Sequence, residues 1–341
     1  MNNRSNKVKD LISKLIKTEA DIEYYNEAKV NEILLLTEEI EELKFEKNAK
    51  IMAHVYTGTE IINTVSDYSS DSYALALEST KFNCDTIVLA GVRFMAETAK
   101  MLNPEKTVLL PNILSSCSLA ESIDVQGVRE LKSKYPKAPI ICYINSSAEV
   151  KAEVDVVVTS SNALHIVKQF SEEEIIFIPD KLMAKNIQNQ LAKEGIFKKL
   201  ISNDGTCIVH DNFDEFLIHN GRKDFPGIKV LSHPECSENI VNLSDMTGST
   251  TQIVNYVNES DDKYFMILSE CGLSDKLQNQ HPEKTFVASC KLCPYMKMNN
   301  LTVIRDVLKH PSKENIIEVD KLIADKALNS INRMFHYMGV N

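Results

Sequence analysis

Residues 140–179 read IICYINSSAEVKAEVDVVVTSSNALHIVKQFSEEEIIFIP, and the fold prediction rests on the pattern that they contain. Three short apolar runs, at 140–145, 156–161 and 174–179, alternate with helical stretches. Continuous apolar runs rich in β-branched residues are typical of parallel strands that are buried on both faces. The stretch therefore predicts a βαβαβ unit.

The same pattern occurs three times along the chain. Apolar runs that end in polar or aromatic residues recur about every ninety residues, at 51–56, 140–145 and 229–235. Each run is followed by two more, which lie at 86–91 and 106–111 in the first unit and at 243–250 and 263–268 in the third. Three α/β units are expected, with ligands bound beyond the carboxyl ends of their strands.

The two ends of the chain have a different pattern. Residues 1–48 predict a helical extension, and residues 311–341 predict a helical tail that packs back on the first repeat. Between them the predicted repeats span 49–128, 129–220 and 221–310. The apolar faces expected in the extension consist of Leu11, Ile12, Leu15 and Ile16, and then of Ile33, Leu36, Ile40 and Leu43.

Three of the eight cysteines follow the period of the repeat. Cys117, Cys207 and Cys293 are 90 and 86 residues apart, and each lies in a loop after an apolar run. If the repeats pack around a pseudo-threefold axis, all three thiols face one central cavity. The alternative is that they are three buried structural cysteines, which is a common role of free cysteine.

The surroundings of these cysteines favour a metal centre. Cys117 and Cys207 lie in loops of small residues, and Cys293 ends a CxxCP turn that begins at Cys290. Without a second CxxC or CxxH, a four-ligand zinc site is poorly supported. Three thiolates without an obvious fourth suggest a 4Fe-4S cluster with one open iron, which is a Lewis acid. The five remaining cysteines are predicted to be packing residues or bystanders: Cys84, Cys142, Cys236, Cys271 and Cys290.

Composition predicts a cytoplasmic enzyme. The net charge of −10 argues against a nucleic-acid or anionic-membrane surface. No apolar stretch approaches the length of a membrane span, and the amino terminus lacks the apolar core of a signal peptide. Eight cysteines in such a chain imply reduced thiols, metal ligands or redox chemistry rather than a disulfide scaffold.

Nine short motifs between residues 50 and 308 resemble quinolinate synthase, an iron–sulfur transferase of NAD biosynthesis. They occur in order and with suitable gaps. The motifs are MAHVYTGTEI (52–61), GVRFMAETAKML (91–102), SCSLAES (116–122), CYINSSAEVKA (142–152), TSSNA (159–163), DGTCIVH (204–210), HPEC (233–236), GSTTQ (248–252) and CPYMKMNNL (293–301).

The resemblance implies a fold, a cofactor and a reaction. The fold class is α/β, with three pseudo-threefold-related α/β/α sandwich domains around a central cluster. The ligands of the 4Fe-4S cluster would be Cys117, Cys207 and Cys293, with Cys290 a non-ligating neighbour. The reaction condenses iminoaspartate with dihydroxyacetone phosphate, loses phosphate and two waters, and gives quinolinate. Because iminoaspartate hydrolyses readily, L-aspartate oxidase is the expected partner.

Polar residues at the ends of the predicted strands could provide the proton carriers. Tyr56 and Glu235 are predicted to transfer protons, and His54 and His233 to orient or protonate substrate oxygens. The structural alternative for the two histidines is that they are satisfied core residues. An HPE sequence can also be simply a turn that ends a strand.

Serine and threonine residues before predicted helices could bind the anionic groups of the substrates. Ser160, Ser249 and Thr250 are predicted to do so, because helix amino ends attract anions. The alternative is that these serines cap their helices. Ser72, Tyr143 and Asn145 complete the predicted polar lining.

Four positions depart from the usual sequence of the family, and two other functions remain open. Val55, Thr57, Ser70 and Arg93 lie in the first repeat and could alter its substrate loop. A different 4Fe-4S hydro-lyase would share the open iron without a triose phosphate site. A redox-sensing module would have little use for His, Tyr and Glu at strand ends.

Overall fold

The computed structural model describes residues 9–13, 15, 23–287 and 289–340, and these form an α/β protein with three parallel sheets. Each sheet has four strands. The strands are β1 (Ala49–His54), β2 (Tyr68–Ser70), β3 (Thr86–Ala90) and β4 (Thr107–Leu109); β5 (Ile140–Tyr143), β6 (Val156–Val158), β7 (Glu174–Ile178) and β8 (Lys199–Ile201); and β9 (Lys229–Ser232), β10 (Met246–Thr247), β11 (Tyr264–Leu268) and β12 (Thr285–Val287).

The three sheets have the same strand order. They are β2-β1-β3-β4, β6-β5-β7-β8 and β10-β9-β11-β12, so the first and third strands of each unit are central. All the pairings are parallel, and the central strands are almost completely buried. The structure thus confirms the predicted α/β class with three parallel sheets. The predicted boundaries of the domains stay a prediction.

The predicted number of strands per unit is wrong, because each unit has four strands rather than three. The missed strands β2, β8 and β12 are edge strands of three residues with exposed or half-buried positions, so they lack a continuous apolar run. As a consequence, the run at 86–91 is the third strand of its unit. It corresponds to the runs at 174–179 and 263–268.

Helices connect the strands, as parallel pairing requires. They are α1 (Glu27–Glu46), α2 (Thr59–Thr64), α3 (Ser72–Ser79), α4 (Arg93–Leu102), α5 (Val125–Lys134), α6 (Ala148–Lys151), α7 (Ala163–Gln169), α8 (Lys181–Lys193), α9 (Glu215–Asp224), α10 (Glu238–Leu243), α11 (Thr250–Glu259), α12 (Cys271–Gln280), α13 (Pro294–Lys297), α14 (Leu301–Lys309) and α15 (Lys321–Tyr337). No helix in the described ranges is both long and apolar enough to cross a membrane.

One aspartate in each unit fixes the start of the second strand to the first strand. Asp67, Asp155 and Asp245 each donate a backbone N–H to a carbonyl of the first strand, at 2.8–3.0 Å. Their carboxylates accept the N–H of the same strand residue, at 2.8 Å in every unit. The partners are Ile51, Ile140 and Val230, respectively. The repeat is therefore visible in individual hydrogen bonds.

The ends of the chain pack on the first two units. Helix α1 packs on α14 and β1, with Ile33 and Ile40 fully buried. Of the first predicted apolar face, Leu11 and Leu15 are buried and Ile12 is exposed, whereas Ile16 lies outside the described residues. The predicted contact of the tail with the first repeat is confirmed by a bridge between Leu109 and Ile316. Helix α15, however, packs mainly on β6 and α6 of the second unit.

Cys271 and Cys290 form a disulfide, so the prediction that both are packing residues or bystanders is wrong. The physical reason is the sheet order. Cys271 follows β11 and Cys290 follows its parallel neighbour β12, which brings their Cα atoms to 4.8 Å. The thiols of Cys84, Cys142 and Cys236 are free and buried, as predicted.

We expect Asp67→Ala to lower the free energy of unfolding by about 1–3 kcal/mol, because it leaves the N–H of Ile51 without its carboxylate acceptor. Burial raises the pKa of Asp67, but hydrogen bonds from Ile51, Lys50 and Lys44 outweigh it and leave that pKa below its ordinary value. The contribution is therefore complete above about pH 4 and decreases as pH falls further.

Denaturant unfolding of wild type and variant across pH measures this effect. The exposed Asp261→Ala is the matched control and should change stability by less than about 0.5 kcal/mol. A difference between wild type and Asp67→Ala that stays constant down to low pH would contradict the assignment.

Candidate metal centre and active site

Each of the three cysteines follows the fourth strand of its unit. Cys117, Cys207 and Cys293 lie eight, six and six residues after β4, β8 and β12. The carbonyl two residues before each cysteine accepts a backbone hydrogen bond, at 2.9–3.1 Å, from the first residue of the helix after the third strand. The three pairs are Arg93 to Ser115, Lys181 to Gly205, and Cys271 to Lys291.

The loop of the second unit needs a glycine at this position. A Cβ atom on Gly205 would lie 2.2 Å from the carbonyl oxygen of Pro179 and 2.3 Å from Oγ of Ser122. Any side chain would therefore push the loop away from the strand end. Cys207, two residues later, depends on this close approach for its position.

A turn after each cysteine directs backbone N–H groups at its sulfur. The sulfur of Cys117 accepts from Leu119 and Ala120, and the other two cysteines accept from residues at the same spacing. For Cys207 these are Val209 and His210, and for Cys293 they are Tyr295 and Met296. N–H donors to sulfur are what a thiolate metal ligand requires around it.

One cavity joins the three cysteines to the predicted polar residues. Burial raises the pKa of each of the three thiols, to about 12 for Cys117, so a nearby cation is needed to stabilise the thiolates. The predicted site residues that line the cavity are His54, Tyr56, Ser72, Cys117, Tyr143, Asn145, Ser160, Cys207, His233, Glu235, Thr250 and Cys293.

Glu235 is at the centre of a buried hydrogen-bond network. One carboxylate oxygen accepts from the hydroxyl of Tyr143, and the other lies 2.8 Å from Nδ1 of His210. The imidazole of His210 stacks on that of His233 with 4.4 Å between the ring centroids. Burial raises the pKa of Glu235, but its interactions with His233, His210 and Tyr143 outweigh burial and hold that pKa below its usual range.

The hydroxyl of Tyr56 contacts two other hydroxyls. It lies 3.1 Å from Oγ1 of Thr250 and 2.9 Å from Oγ of Ser269. Oγ of Ser269 is in turn 3.1 Å from Nε2 of His210, so a continuous chain of polar groups runs from Tyr56 to Glu235. Burial raises the pKa of Tyr56 well above its ordinary value, so the phenol keeps its proton.

The two predicted histidines are buried and neutral at physiological pH. Burial lowers the pKa of His54 to about 4 and that of His233 to about 3. The ring nitrogen Nδ1 of His54 accepts the backbone N–H of Tyr56 at 3.2 Å. In the neutral form, each imidazole can donate one hydrogen bond and accept another.

Asn145 has a buried polar atom that faces no protein partner. Its Oδ1 is buried without a hydrogen bond, and its Nδ2 lies 4.0 Å from the sulfur of Cys117. A buried amide oxygen without a partner costs free energy unless a ligand satisfies it. Asn145 is therefore suited to contact a bound molecule beside the cysteines.

Ser249 differs from the other predicted substrate residues, because it is not part of the cavity lining. It is fully buried and caps α11 in a capping box: its hydroxyl accepts the N–H of Gln252, and the Gln252 side chain accepts the N–H of Ser249. Thr250, the next residue, lines the cavity. A direct role for Ser249 in substrate binding stays a prediction, and the cap explains its side chain.

Sequence reasoning missed His210 and Ser269, which connect Tyr56 to Glu235. His210 belongs to the DGTCIVH motif, three residues after Cys207, and its side chain is also 3.3 Å from the sulfur of that cysteine. Ser269 directly follows β11. Position at a strand end, which selected Tyr56, could also have identified Ser269.

A single metal ion between Cys207, His210 and Glu235 is a weaker interpretation than a cluster. Their ligand atoms lie within 4.8 Å of one another. His210, however, already hydrogen bonds both other residues through Nδ1, which occupies the atom that an ion would need. The group is better described as part of the polar network, and the three cysteines fit a metal cluster.

The fold and the site define an α/β enzyme in which three cysteines that fit a metal cluster share a cavity with a buried hydrogen-bond network. The model of the quinolinate synthetase A protein family (NadA) matches residues 38–336. The chain belongs to this family.

Individual relatives cover most of the chain. It is 42% identical over 292 residues to quinolinate synthase 1 of Mesorhizobium japonicum, which covers 86% of this chain and 88% of that protein. It is 42% identical over 297 residues to quinolinate synthase of Xylella fastidiosa, and the matched region covers 87% of this chain and 86% of that protein. Quinolinate synthase of Alkaliphilus metalliredigens is 40% identical over 301 residues, with 88% and 97% covered.

We expect Ser249→Ala to lower the free energy of unfolding by about 1 kcal/mol, because it removes the side-chain cap of α11. Ser237→Ala is the matched control, since Ser237 precedes α10 without a side-chain capping bond and should change stability by less than about 0.5 kcal/mol. Denaturant unfolding measures both. Equal effects in the two variants would show that the capping bond does not stabilise the fold.

Proposed function

We propose that this chain synthesises quinolinate in the cytoplasm for NAD biosynthesis. It condenses iminoaspartate with dihydroxyacetone phosphate and releases phosphate and two waters. The observation that carries the proposal is one cavity in which three cysteines, each followed by a turn whose N–H groups face its sulfur, lie beside a buried hydrogen-bond network. Membership of the quinolinate synthetase A family supports the same reaction.

The cofactor in this proposal is a 4Fe-4S cluster held by Cys117, Cys207 and Cys293. Three half-buried cysteines with paired N–H donors fit such a cluster, and three ligands would leave one of its irons without a protein ligand. When bound, the cluster supplies a Lewis acid that holds a leaving oxygen without net oxidation or reduction. The protein contributes a polar cavity and fixed ligand loops.

The proton transfers are assigned to Tyr56 and Glu235. Tyr56 keeps its proton and acts as the general acid, and Thr250 and Ser269 orient its hydroxyl. Glu235 is ionised and acts as the general base, and Tyr143 and His210 orient its carboxylate. His54 and His233, as neutral imidazoles, orient or protonate substrate oxygens.

Neutral donors bind the anionic groups of the substrates. Ser72, Tyr143, Asn145, Ser160 and Thr250 all line the cavity, and Asn145 has an unsatisfied amide oxygen. Hydroxyl and amide groups recognise carboxylate and phosphate without a fixed positive charge that would attract other anions. Ser249 enters the proposal through its cap, which fixes the start of α11 and so the position of Thr250.

We assign the architecture of the family to the three sheets. Repeats 49–128, 129–220 and 221–310 would be α/β/α sandwich domains related by a pseudo-threefold axis, between an extension at 1–48 and a tail at 311–341. The identical strand order, the three equivalent aspartates and the three equivalent cysteine loops support this symmetry.

The instability of iminoaspartate suggests which enzyme acts together with this one. An imine of an amino acid reacts with water, so iminoaspartate has to be used soon after it is made. We propose that L-aspartate oxidase supplies it close to this enzyme.

We expect protein purified without oxygen to contain about four irons per chain. It should form quinolinate from oxaloacetate, ammonia and dihydroxyacetone phosphate, since the first two generate iminoaspartate. Cys117→Ser, Cys207→Ser and Cys293→Ser should each lose the cluster, because each removes one of the three thiolates. Iron content, absorbance and quinolinate formation are the measurements.

Two results would reject the proposal. One is full iron content in Cys207→Ser. The other is iron-loaded wild type that forms no quinolinate with all three reactants present. Cys84→Ser is the matched control, because Cys84 is a buried free thiol away from the cavity, and it should keep both iron and activity.

We expect Tyr56→Phe and Glu235→Gln to lower kcat by roughly 10²-fold or more, since each removes a positioned acid or base without changing side-chain volume. Both variants should keep the cluster, because neither residue is a proposed ligand. Tyr256→Phe and Glu283→Gln, which lie outside the cavity, are the controls and should have wild-type kcat. Wild-type turnover in Tyr56→Phe and Glu235→Gln would show that neither residue transfers a proton and that both have only a structural role.

A further inference from the structure

A buried carboxylate beside the third cysteine has no part in the proposed chemistry. Glu270 precedes α12 and is completely buried. Its Oε1 accepts the backbone N–H of Cys293 at 3.1 Å, and its Oε2 accepts the backbone N–H of Gly272 at 2.6 Å. The carboxylate therefore fixes the start of the Cys293 turn to the end of β11.

A lysine connects this carboxylate to the first unit. Nζ of Lys297, the last residue of α13 and one helical turn after Cys293, lies 3.0 Å from Oε1 of Glu270. The same Nζ donates to the backbone carbonyls of Tyr56 at 2.9 Å and Thr57 at 3.2 Å. One ammonium thus joins the Cys293 helix to the backbone of the proposed acid.

The contacts form a closed ring around Tyr56. Its backbone carbonyl is held by Lys297, and its hydroxyl is held by Ser269, the residue directly before Glu270. The two segments are also in direct contact, because a Cβ atom on Gly272 would lie 2.3 Å from the carbonyl oxygen of Val55. The ring fixes both the backbone and the hydroxyl of Tyr56 relative to the end of β11, and the same strand end fixes Cys293.

We infer that Glu270 and Lys297 are positioning residues that set the distance between the Cys293 thiolate and the Tyr56 hydroxyl. This inference deepens the proposed function and rests on it only for its kinetic test. An acid has to reach the substrate that the metal centre holds, and these groups come from different units of the chain. The buried ion pair is the direct connection between them.

The equivalent positions of the other two units do not make this connection. Val92 precedes the helix after β3 and has no charge to offer. Asp180 precedes α8, and its Oδ1 accepts the N–H groups of Leu182 and Met183 of its own helix. The carboxylate of Glu270 therefore does more than cap the helix after the third strand, because it also binds Lys297 and the N–H of Cys293.

Cysteine alkylation tests the inference without using enzyme activity. The full-length chain, iron-free and without reductant, is treated with iodoacetamide at a series of pH values, and mass spectrometry gives the rate constant of the thiolate form at each cysteine, which separates access to the sulfur from a change in its pKa. In Glu270→Ala, alkylation of Cys293 should accelerate roughly 10-fold or more relative to Cys117, because its turn loses a charge-assisted hydrogen bond. Glu270→Gln and Lys297→Met should give smaller increases, and Lys297→Arg should restore the wild-type ratio.

The three cysteines provide an internal control. A purely structural defect would accelerate Cys117, Cys207 and Cys293 together, and that result would overturn the inference. An unchanged ratio in Glu270→Gln and Lys297→Met would also overturn it, even if Glu270→Ala does not fold. Lys199→Met, which removes an exposed ion pair with Glu174, should leave all the rates unchanged.

The kinetic test connects the pair to Tyr56. Lys297→Met should lower kcat of iron-loaded enzyme roughly 10- to 100-fold with KM unchanged, because the Tyr56 hydroxyl moves away from the position that proton transfer requires. Added to Tyr56→Phe, it should cause no further loss, since the group that it positions is already absent. Additive losses would overturn the connection to Tyr56. If wild type forms no quinolinate, the proposed function fails, while alkylation still decides the positioning role.

Discussion

Three backbone hydrogen bonds, one in each α/β unit, hold the loops on which the cysteine centre depends. The donor is the first residue of the helix after the third strand, and the acceptor is the carbonyl two residues before the cysteine. The third and fourth strands of each unit are parallel neighbours, which brings the donor after one strand close to the acceptor after the other. The acceptors Ser115, Gly205 and Lys291 have nothing in common but their backbone. Sheet topology therefore places the sulfur atoms, and only the loop of the second unit also needs a particular residue, Gly205.

Burial then determines the protonation states around these sulfur atoms. Because the charged forms of buried groups are disfavoured, the phenol keeps its proton and each imidazole stays neutral, as the shifted pKa values of Tyr56, His54 and His233 indicate. Glu235 is the exception, because a hydroxyl and a ring N–H can donate to its two oxygens. The same surroundings thus contain a proton donor and a proton acceptor, connected through Ser269 and His210.

The sequence predicted what depends on local pattern and on period. Long apolar runs revealed the central strands, and the spacing of Cys117, Cys207 and Cys293 revealed one cysteine per repeat. Edge strands such as β2 escaped detection, because half-buried residues at a sheet edge do not form an apolar run. The Cys271–Cys290 disulfide was not predicted because it depends on β11 and β12 being neighbours in the sheet, which local sequence does not show. The helix-cap role of Ser249 was one of two sequence readings, and only a structure shows where its hydroxyl is directed.

The repeat supplies equal backbones, but the proposed reaction needs unequal side chains. A cluster with three protein ligands can use the same cysteine turn three times. An asymmetric substrate cannot be bound by three identical sets of side chains, because each of its groups requires a different donor or acceptor. The positions that precede the helix after each third strand illustrate the difference: they are Val92, Asp180 and Glu270. Only the last of these joins a lysine that reaches Tyr56, so the third unit connects a ligand of the proposed cluster to the proposed acid.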